Sequence, residues 1–300
     1  MASWLALSSE AFLGGAMKFD YFEAFNRNLG FLSLADQTLL RNARVAIAGL
    51  GGTGGAQVHA LSRMGISRFH LADPDTFELA NFNRQSGATL TSVGRLKTDV
   101  AKETVLAINP EAEIAVFEKG ITVENIDTFL EGVDIVVDSL DFYCFDERFL
   151  LYGKARDRGL WVLTAPPLGF GFSLLMFDPK GMHFEKYFGF HSEMTERDQV
   201  VALIAGIAPK PFMLRYLDRS KSDVAGHRLP SVGAAPFMIA GVIATEVVRL
   251  LTGKGPYMAA PTIYQFDALL RRFRRRTYYW GMRSPLQRLR RLILNRLLPK

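Results

Sequence analysis

One stretch of glycines constrains this chain more than any other feature. Arg44-Val-Ala-Ile-Ala48 is a short apolar run that ends in Gly49-Leu-Gly-Gly-Thr-Gly54, and Ala56, Val58, Ala60, Leu61 and Met64 follow at helical spacing as far as Gly65. Strand, glycine turn and helix in that order make a phosphate-binding geometry. Glycines allow the tight turn and the close approach of backbone to ligand, and the helix N-terminus supplies unpaired N–H groups and positive potential. Asp73 closes the next expected strand, 19 residues beyond Gly54, where an acid commonly bonds ribose hydroxyls, with Asp75 just after it. This much fits any nucleotide, and a tight turn with no ligand is the plain alternative.

The rest of the chain repeats the pattern. Strands are expected at Arg68–Asp73, Ala112–Phe117, Val133–Val137 and Leu160–Thr164, with helices between them at Thr98–Ile108, Thr122–Leu130 and Phe145–Arg158. Such alternation predicts an α/β fold, a doubly wound, Rossmann-like sheet with right-handed crossovers and helices on both faces. Phe170–Phe177 follows Pro166-Pro167-Leu-Gly169 with no room for a crossover helix, so it is expected to run antiparallel. The sheet is therefore mixed, parallel in its first half and antiparallel later. Residues 181–231 read as an irregular crossover insert with a helix near Glu196–Ile204, followed by an apolar helix at Pro236–Leu251 capped by Gly253 and a strand at Pro261–Phe266.

Charge separates the chain into two parts. Residues 271–300 carry eleven Lys or Arg and no acid, whereas residues 1–270 hold 25 basic against 30 acidic side chains. The expected organisation is one domain over 1–270 and a basic amphipathic tail over 271–300. Leu286, Leu289, Ile293 and Leu297 recur at helical spacing in that tail beside Arg288, Arg291 and Arg296, with Tyr278-Tyr-Trp280 ahead of them. It could dock on its own domain or a dimer mate, on an anionic membrane surface or acidic carrier protein, or, least favoured, on nucleic acid. The best uncharged run, Ala234 to Thr245, stops at Glu246 and is shorter than a membrane span, and the apolar patch Trp4–Leu7 lacks the flanks of a secretory signal. A single cysteine, Cys144, excludes a disulfide framework and a multi-cysteine zinc site and points to a reducing, cytoplasmic compartment.

The residues after Asp73 decide between nucleotide chemistries. Asp73-Pro-Asp75 runs through Thr76-Phe-Glu78-Leu-Ala into Asn81-Phe-Asn-Arg84-Gln85, and Lys97 stands at the start of a helix. A dinucleotide-dependent dehydrogenase has little use for Arg84 and Lys97 together. An enzyme that breaks the α–β linkage of ATP must neutralise charge on the α-phosphate and the departing pyrophosphate. Asp138 and Asp141 lie just past a buried strand on the ligand-binding edge of such a sheet, and Asp141 is the candidate Mg²⁺ ligand, a loop or capping role being its alternative.

With these elements in order, the chain resembles the ubiquitin-activating-enzyme-like adenylating superfamily, including the ThiF, MoeB and HesA type adenylyltransferases. The resemblance covers residues 20–177 and resumes over 231–255. It rests on Ala46–Gly54, on Asp73–Gln85 with Lys97, and on Gly241–Gly253. It implies that Gly49, Gly51, Gly52 and Gly54 border the ATP phosphates, that Asp73 holds the ribose, that Asn81, Arg84 and Lys97 bind and polarise the triphosphate, and that Asp141 coordinates Mg²⁺. It further implies a homodimer in which Arg27 reaches the partner's ATP. The substrate would be the C-terminal glycine of a ubiquitin-like sulfur carrier protein or a peptide, with a small-molecule or tRNA-attached carboxylate as the nearest variant.

The chain departs from its relatives in two ways. It cannot form the zinc site of two Cys-x-x-Cys pairs, and Cys144 lies three residues past Asp141 rather than in the crossover, so adenylation without a thioester stage is expected. Of the scattered histidines, His70 reads as packed or solvated, while His191 and His227 could meet substrate. Two other classes stay open at this level. One is a catalytically silent nucleotide-binding scaffold, against which Arg84, Lys97 and Asp141 argue; the other is an NAD-dependent oxidoreductase, which lacks its proton-transfer residues here.

Overall fold

The computed structural model describes residues 18–223 and 229–297; Trp4–Leu7 and His227 lie outside them. In chain order the elements are α1 (Tyr21–Ala24), α2 (Leu34–Asn42), β1 (Arg44–Ala48), α3 (Gly52–Arg63), β2 (Arg68–Ala72), α4 (Lys97–Ile108), β3 (Glu113–Phe117) and α5 (Ile126–Phe129). They continue through β4 (Ile135–Asp138), α6 (Phe145–Asp157), β5 (Trp161–Thr164), β6 (Gly171–Phe177), α7 (Phe184–Phe188), α8 (Glu196–Ile207), α9 (Ala234–Thr252), β7 (Thr262–Asp267), β8 (Arg272–Thr277) and α10 (Pro285–Leu297).

The strands form a single sheet in the order β3-β2-β1-β4-β5-β6-β7-β8. Pairing is parallel from β3 through β5 and antiparallel from β5 through β8, the mixed sheet expected from the missing crossover before β6. Alternation along each strand sends side chains to two separate cores. Val45 and Ile47 of β1 pack with Leu40, Leu61, Val105 and Ile243 under α2, α3, α4 and α9. Ala46 and Ala48 face Phe129, Leu151, Tyr187 and Leu203 under α5 to α8. Chain order reverses at β1, which has β2 on one side and β4 on the other, the switch point beyond whose carboxyl ends such sheets hold their ligands.

Three expectations change. The helix foreseen at 122–130 shrinks to α5, because the Asn125 side chain accepts the Thr122 N–H at 2.9 Å and donates to the Gly120 carbonyl at 2.8 Å, closing a turn where a helix would begin. The helix expected at 236–251 forms as α9, carried past Glu246 by a Glu246–Arg249 pair at 3.0 Å and capped by Gly253 at φ +69°, but the apolar stretch is longer than expected. With 19 residues it is long and apolar enough to cross a membrane by length and composition, and its Ile239, Ile243 and Val247 are buried in the core.

The third change concerns the basic segment. Its first part is strand β8, paired with β7 from Thr262↔Thr277 to Asp267↔Arg272. The helix behind it, α10, lies against α8 through the side opposite to its leucine stripe: Gln287 is buried and Arg197 Nε donates to Asn295 Oδ1 at 2.7 Å.

Candidate active site

The glycine turn is held by backbone approach that no side chain could share. Gly49 sits at φ +89°, and a Cβ there would come within 2.2 Å of the Ser139 carbonyl oxygen; at Gly54 it would meet the Gly49 carbonyl at 1.9 Å. The loop after β1 is thereby pressed against the loop after β4. Helix α3 starts at Gly52 with Gly51 as its cap residue and no side-chain cap, so its first N–H groups remain available to an anion. Around Gly52, a Cβ would lie 3.7 Å from the Arg84 Cγ and from Pro236 of α9.

Asp73 ties the second loop to the first. Its carboxylate is buried and accepts the Leu50 N–H at 2.6 Å and the Asp75 N–H at 2.9 Å. Burial raises its pKa, while Lys97, 3.8 Å away, and the two backbone N–H groups pull the other way. The ammonium of Lys97, itself buried at the start of α4, donates to Asp75 Oδ2 at 2.7 Å. Two acids therefore hold one cation in place beside the turn.

The other expected residues fall into place unequally. Arg84 is half-buried and donates to the carbonyl of Ala80 at 2.7 Å and to Asn83 Oδ1 at 3.1 Å. Asn81 is buried, and its Oδ1 accepts the Glu78 N–H at 3.0 Å, so it shapes the short helical turn Leu79–Asn81 on which Arg84 is mounted. Asp138 is committed to structure: Arg148 Nε and the Tyr152 hydroxyl both donate to its Oδ2 at 3.0 Å. Asp141 is exposed on the following loop, its Oδ1 accepting the Tyr143 N–H at 3.2 Å. Arg27 is not brought to this edge. It is exposed in the turn Asn26–Asn28, whose Asn28 donates to the Met64 carbonyl at the far end of α3, roughly 18 Å of helix away from the glycines.

Several neighbours of these residues were not singled out by sequence. Gln85 is buried beside Gly51, and its Oε1 has no hydrogen-bond partner. An orphaned buried acceptor at a phosphate turn is a feature a bound ligand can satisfy. Its only sequence signal was its place after Arg84. Arg148 is buried, and besides Asp138 it donates to the carbonyls of Leu140 and Asp141 at 3.0 Å, fixing the loop that presents Asp141. Burial opposes its charge, yet Asp138 and Tyr152 keep its pKa raised. The insert reaches the site at its end, where Asn83 donates to the Ser231 carbonyl at 2.9 Å.

Cys144 is partly buried ahead of α6, and desolvation, followed by the charge of Glu147, pushes its thiol up to about 11. His70 is packed, its Nδ1 2.8 Å from the Phe129 carbonyl and its pKa lowered by burial. His191 lines a separate cavity with Gly189, Arg283 and Arg291.

The chain is similar to known proteins in sequence and in fold. A tRNA threonylcarbamoyladenosine dehydratase of Bacillus subtilis is 36% identical over 134 residues, which are 44% of this chain and 53% of that protein. The match thus spans about half the length of that relative. A sulfur carrier protein adenylyltransferase of Thermus thermophilus is 28% identical over 251 residues, 83% of this chain and 84% of its own. Among solved structures, Escherichia coli MccB with ATP superposes with a TM-score of 0.63 at 20% identity, covering 91% of this chain and 74% of MccB, a likeness of fold. The ThiF family profile matches residues 25–280, and the chain belongs to the ThiF family.

Proposed function

We propose that the chain is an ATP- and Mg²⁺-dependent adenylyltransferase that activates a carboxylate as an acyl-adenylate, the carboxylate being the C-terminal glycine of a ubiquitin-like sulfur carrier protein or of a peptide. The observation that carries this reading is the meeting of glycine turn, Asp73, Lys97 and Arg84 at the point where strand order reverses, with the exposed Asp141 on the adjoining loop. Family membership and the name of the Thermus thermophilus relative support it.

The chemistry needs no catalytic base. A substrate carboxylate is ionised at neutral pH and attacks the α-phosphorus itself. A new oxygen–phosphorus bond forms, the bond from that phosphorus to the α–β bridging oxygen breaks, and pyrophosphate leaves. Arg84, Lys97 and the free N–H groups of α3 bind and neutralise phosphate charge, and removal of one such donor typically costs about 3 kcal/mol of barrier. Asp73, whose two oxygens already accept the Leu50 and Asp75 N–H groups, would take the ribose hydroxyls on its remaining lone pairs, and Gln85 offers an unfilled acceptor next to the turn.

Among the described residues there is no cluster of three or more His, Cys, Asp or Glu able to hold a metal alone. Mg²⁺ usually takes one or two protein carboxylates together with phosphate oxygens and water, so Asp141 fits as the residue that would hold it. When bound, the ion supplies Lewis-acid neutralisation of phosphate charge.

We further read the working unit as a homodimer. Arg27 is exposed and remote from its own glycine turn, as an arginine serving the partner's site would be. A carboxylate carried on tRNA is a second reading, favoured by the name of the Bacillus subtilis relative. Sedimentation tests the dimer, and substrate-dependent exchange of labelled pyrophosphate into ATP tests the reaction and its substrate. Exchange that requires a carrier protein ending in glycine, or a peptide, supports the first reading, and exchange that requires tRNA supports the second. Calorimetry that detects nicotinamide dinucleotide but no ATP would overturn both.

A further inference from the structure

Helix α10 is built with its apolar side outward. Leu286, Leu289 and Ile293 form one stripe at helical spacing, and they are 65%, 55% and 49% exposed, with Leu292 beside them at 61%. The opposite side touches the protein, where Leu294 packs against the core among polar contacts. Gln287 is 3% exposed, Arg290 donates to its Oε1 at 3.0 Å, and Arg197 donates to the Asn295 carbonyl at 2.9 Å. A helix anchored by one leucine and several polar contacts, with three further leucines and an isoleucine presented to water, has an unmet apolar face.

The surroundings of the stripe specify what would cover it. Tyr279 and Trp280, 80% and 70% exposed, lead into the turn before α10. Arg271, Arg272, Arg275 and Arg276 of the β8 region are exposed, as is Phe273. Arg283 and Arg288 are exposed as well, whereas Arg291 faces Asp198 and His191 in a cavity of about 530 Å³ on the protein side of the helix. Within 271–300 there is no acidic residue. Amphipathic aromatics, an apolar stripe and flanking cations are the requirements for lying in the interface of an anionic bilayer.

We propose that α10, with Tyr279 and Trp280, docks the protein on an anionic membrane surface. At 13 residues the helix is roughly 20 Å long, too short to span a bilayer and suited to lie in its plane. A segment that bears many cations and no acid would repel a second copy of itself. A second copy is therefore a poor cover. The interface of an anionic bilayer meets the cations and the leucine stripe together, and an acidic protein is the occupant it is tested against. The inference is independent of the reaction proposed for the nucleotide site.

Flotation of the full chain with phosphatidylcholine vesicles, with and without phosphatidylglycerol, tests it. The expected result is binding only to the anionic vesicles, weakened by salt and reduced by at least roughly tenfold in Leu286→Ser/Leu289→Ser/Ile293→Ser. These side chains are exposed, so circular dichroism of the triple variant should match the parent, and Trp280→Ala gives a second, single-site reduction. No flotation of the parent overturns the proposal. So does flotation undiminished in both variants, which would mean adsorption by charge alone, and so does a concentration-dependent dimer abolished by the triple change, which would assign the stripe to a second copy.

Discussion

Lys97, Asp141 and Cys144 show how residue type alone leaves a role undecided until burial is known. Lys97 is buried between two acids, so Lys97→Ala should lower pyrophosphate exchange by roughly 10²–10³-fold and also destabilise the fold, since Asp73 would remain buried without its cation. Asp141 is exposed, and Asp141→Asn should lower exchange to a similar extent while leaving the unfolding free energy from urea titration within about 0.5 kcal/mol of the parent. A stability loss at Asp141 with activity retained would reverse its assignment. Cys144, held as a thiol by burial at a pKa of about 11, should react slowly with iodoacetamide at neutral pH. Cys144→Ser should retain full adenylate formation; loss of turnover would restore a thioester stage.

At the scale of elements, one carboxylate joins two helices. Asp36 closes the capping box of α2 with Ser33 and pairs with Lys254, just past the end of α9. The hydrogen bond to Lys254, then those to Ser33, lower its pKa from 3.8 to about 2. A carboxyl depressed in the folded state contributes stability that is complete above the unfolded value and disappears as pH falls from 3.8 toward 2. Asp36→Asn should therefore be less stable than the parent at pH 6 and equal to it near pH 2, as read by urea unfolding. The loop after β4 depends likewise on α6, where Arg148 is buried against Asp138. Arg148→Met should cost about 3–5 kcal/mol, because it leaves a buried carboxylate unpaired, and should release the loop that carries Asp141.

For the whole molecule, the final strand decides where the domain ends. Arg-Phe-Arg-Arg-Arg-Thr over 272–277 has no apolar alternation, and it reads from sequence as a charged tail. It becomes a strand because β7 presents an open ladder, and a sheet edge tolerates a charged last strand that discourages further pairing. A chain ending at Leu270 should expose β7 and aggregate, whereas one ending at Arg283 should remain monodisperse in sedimentation.

The sequence by itself determined the local grammar of this protein. Glycines in the first turn, the acid after the second strand, the cation opening α4 and the alternation of strand and helix all follow from conformational freedom and periodicity within a few residues. Tertiary structure decided matters that depend on distant partners. Asp138 lies three residues from Asp141, yet only the approach of Arg148 and Tyr152 buries one in a structural pair and leaves the other exposed. The stripe of α10 was equally visible, but which side of that helix faces water depended on what α8 had to offer it. A side chain's neighbours across the fold set its burial, and burial sets what its charge or its apolar surface can do.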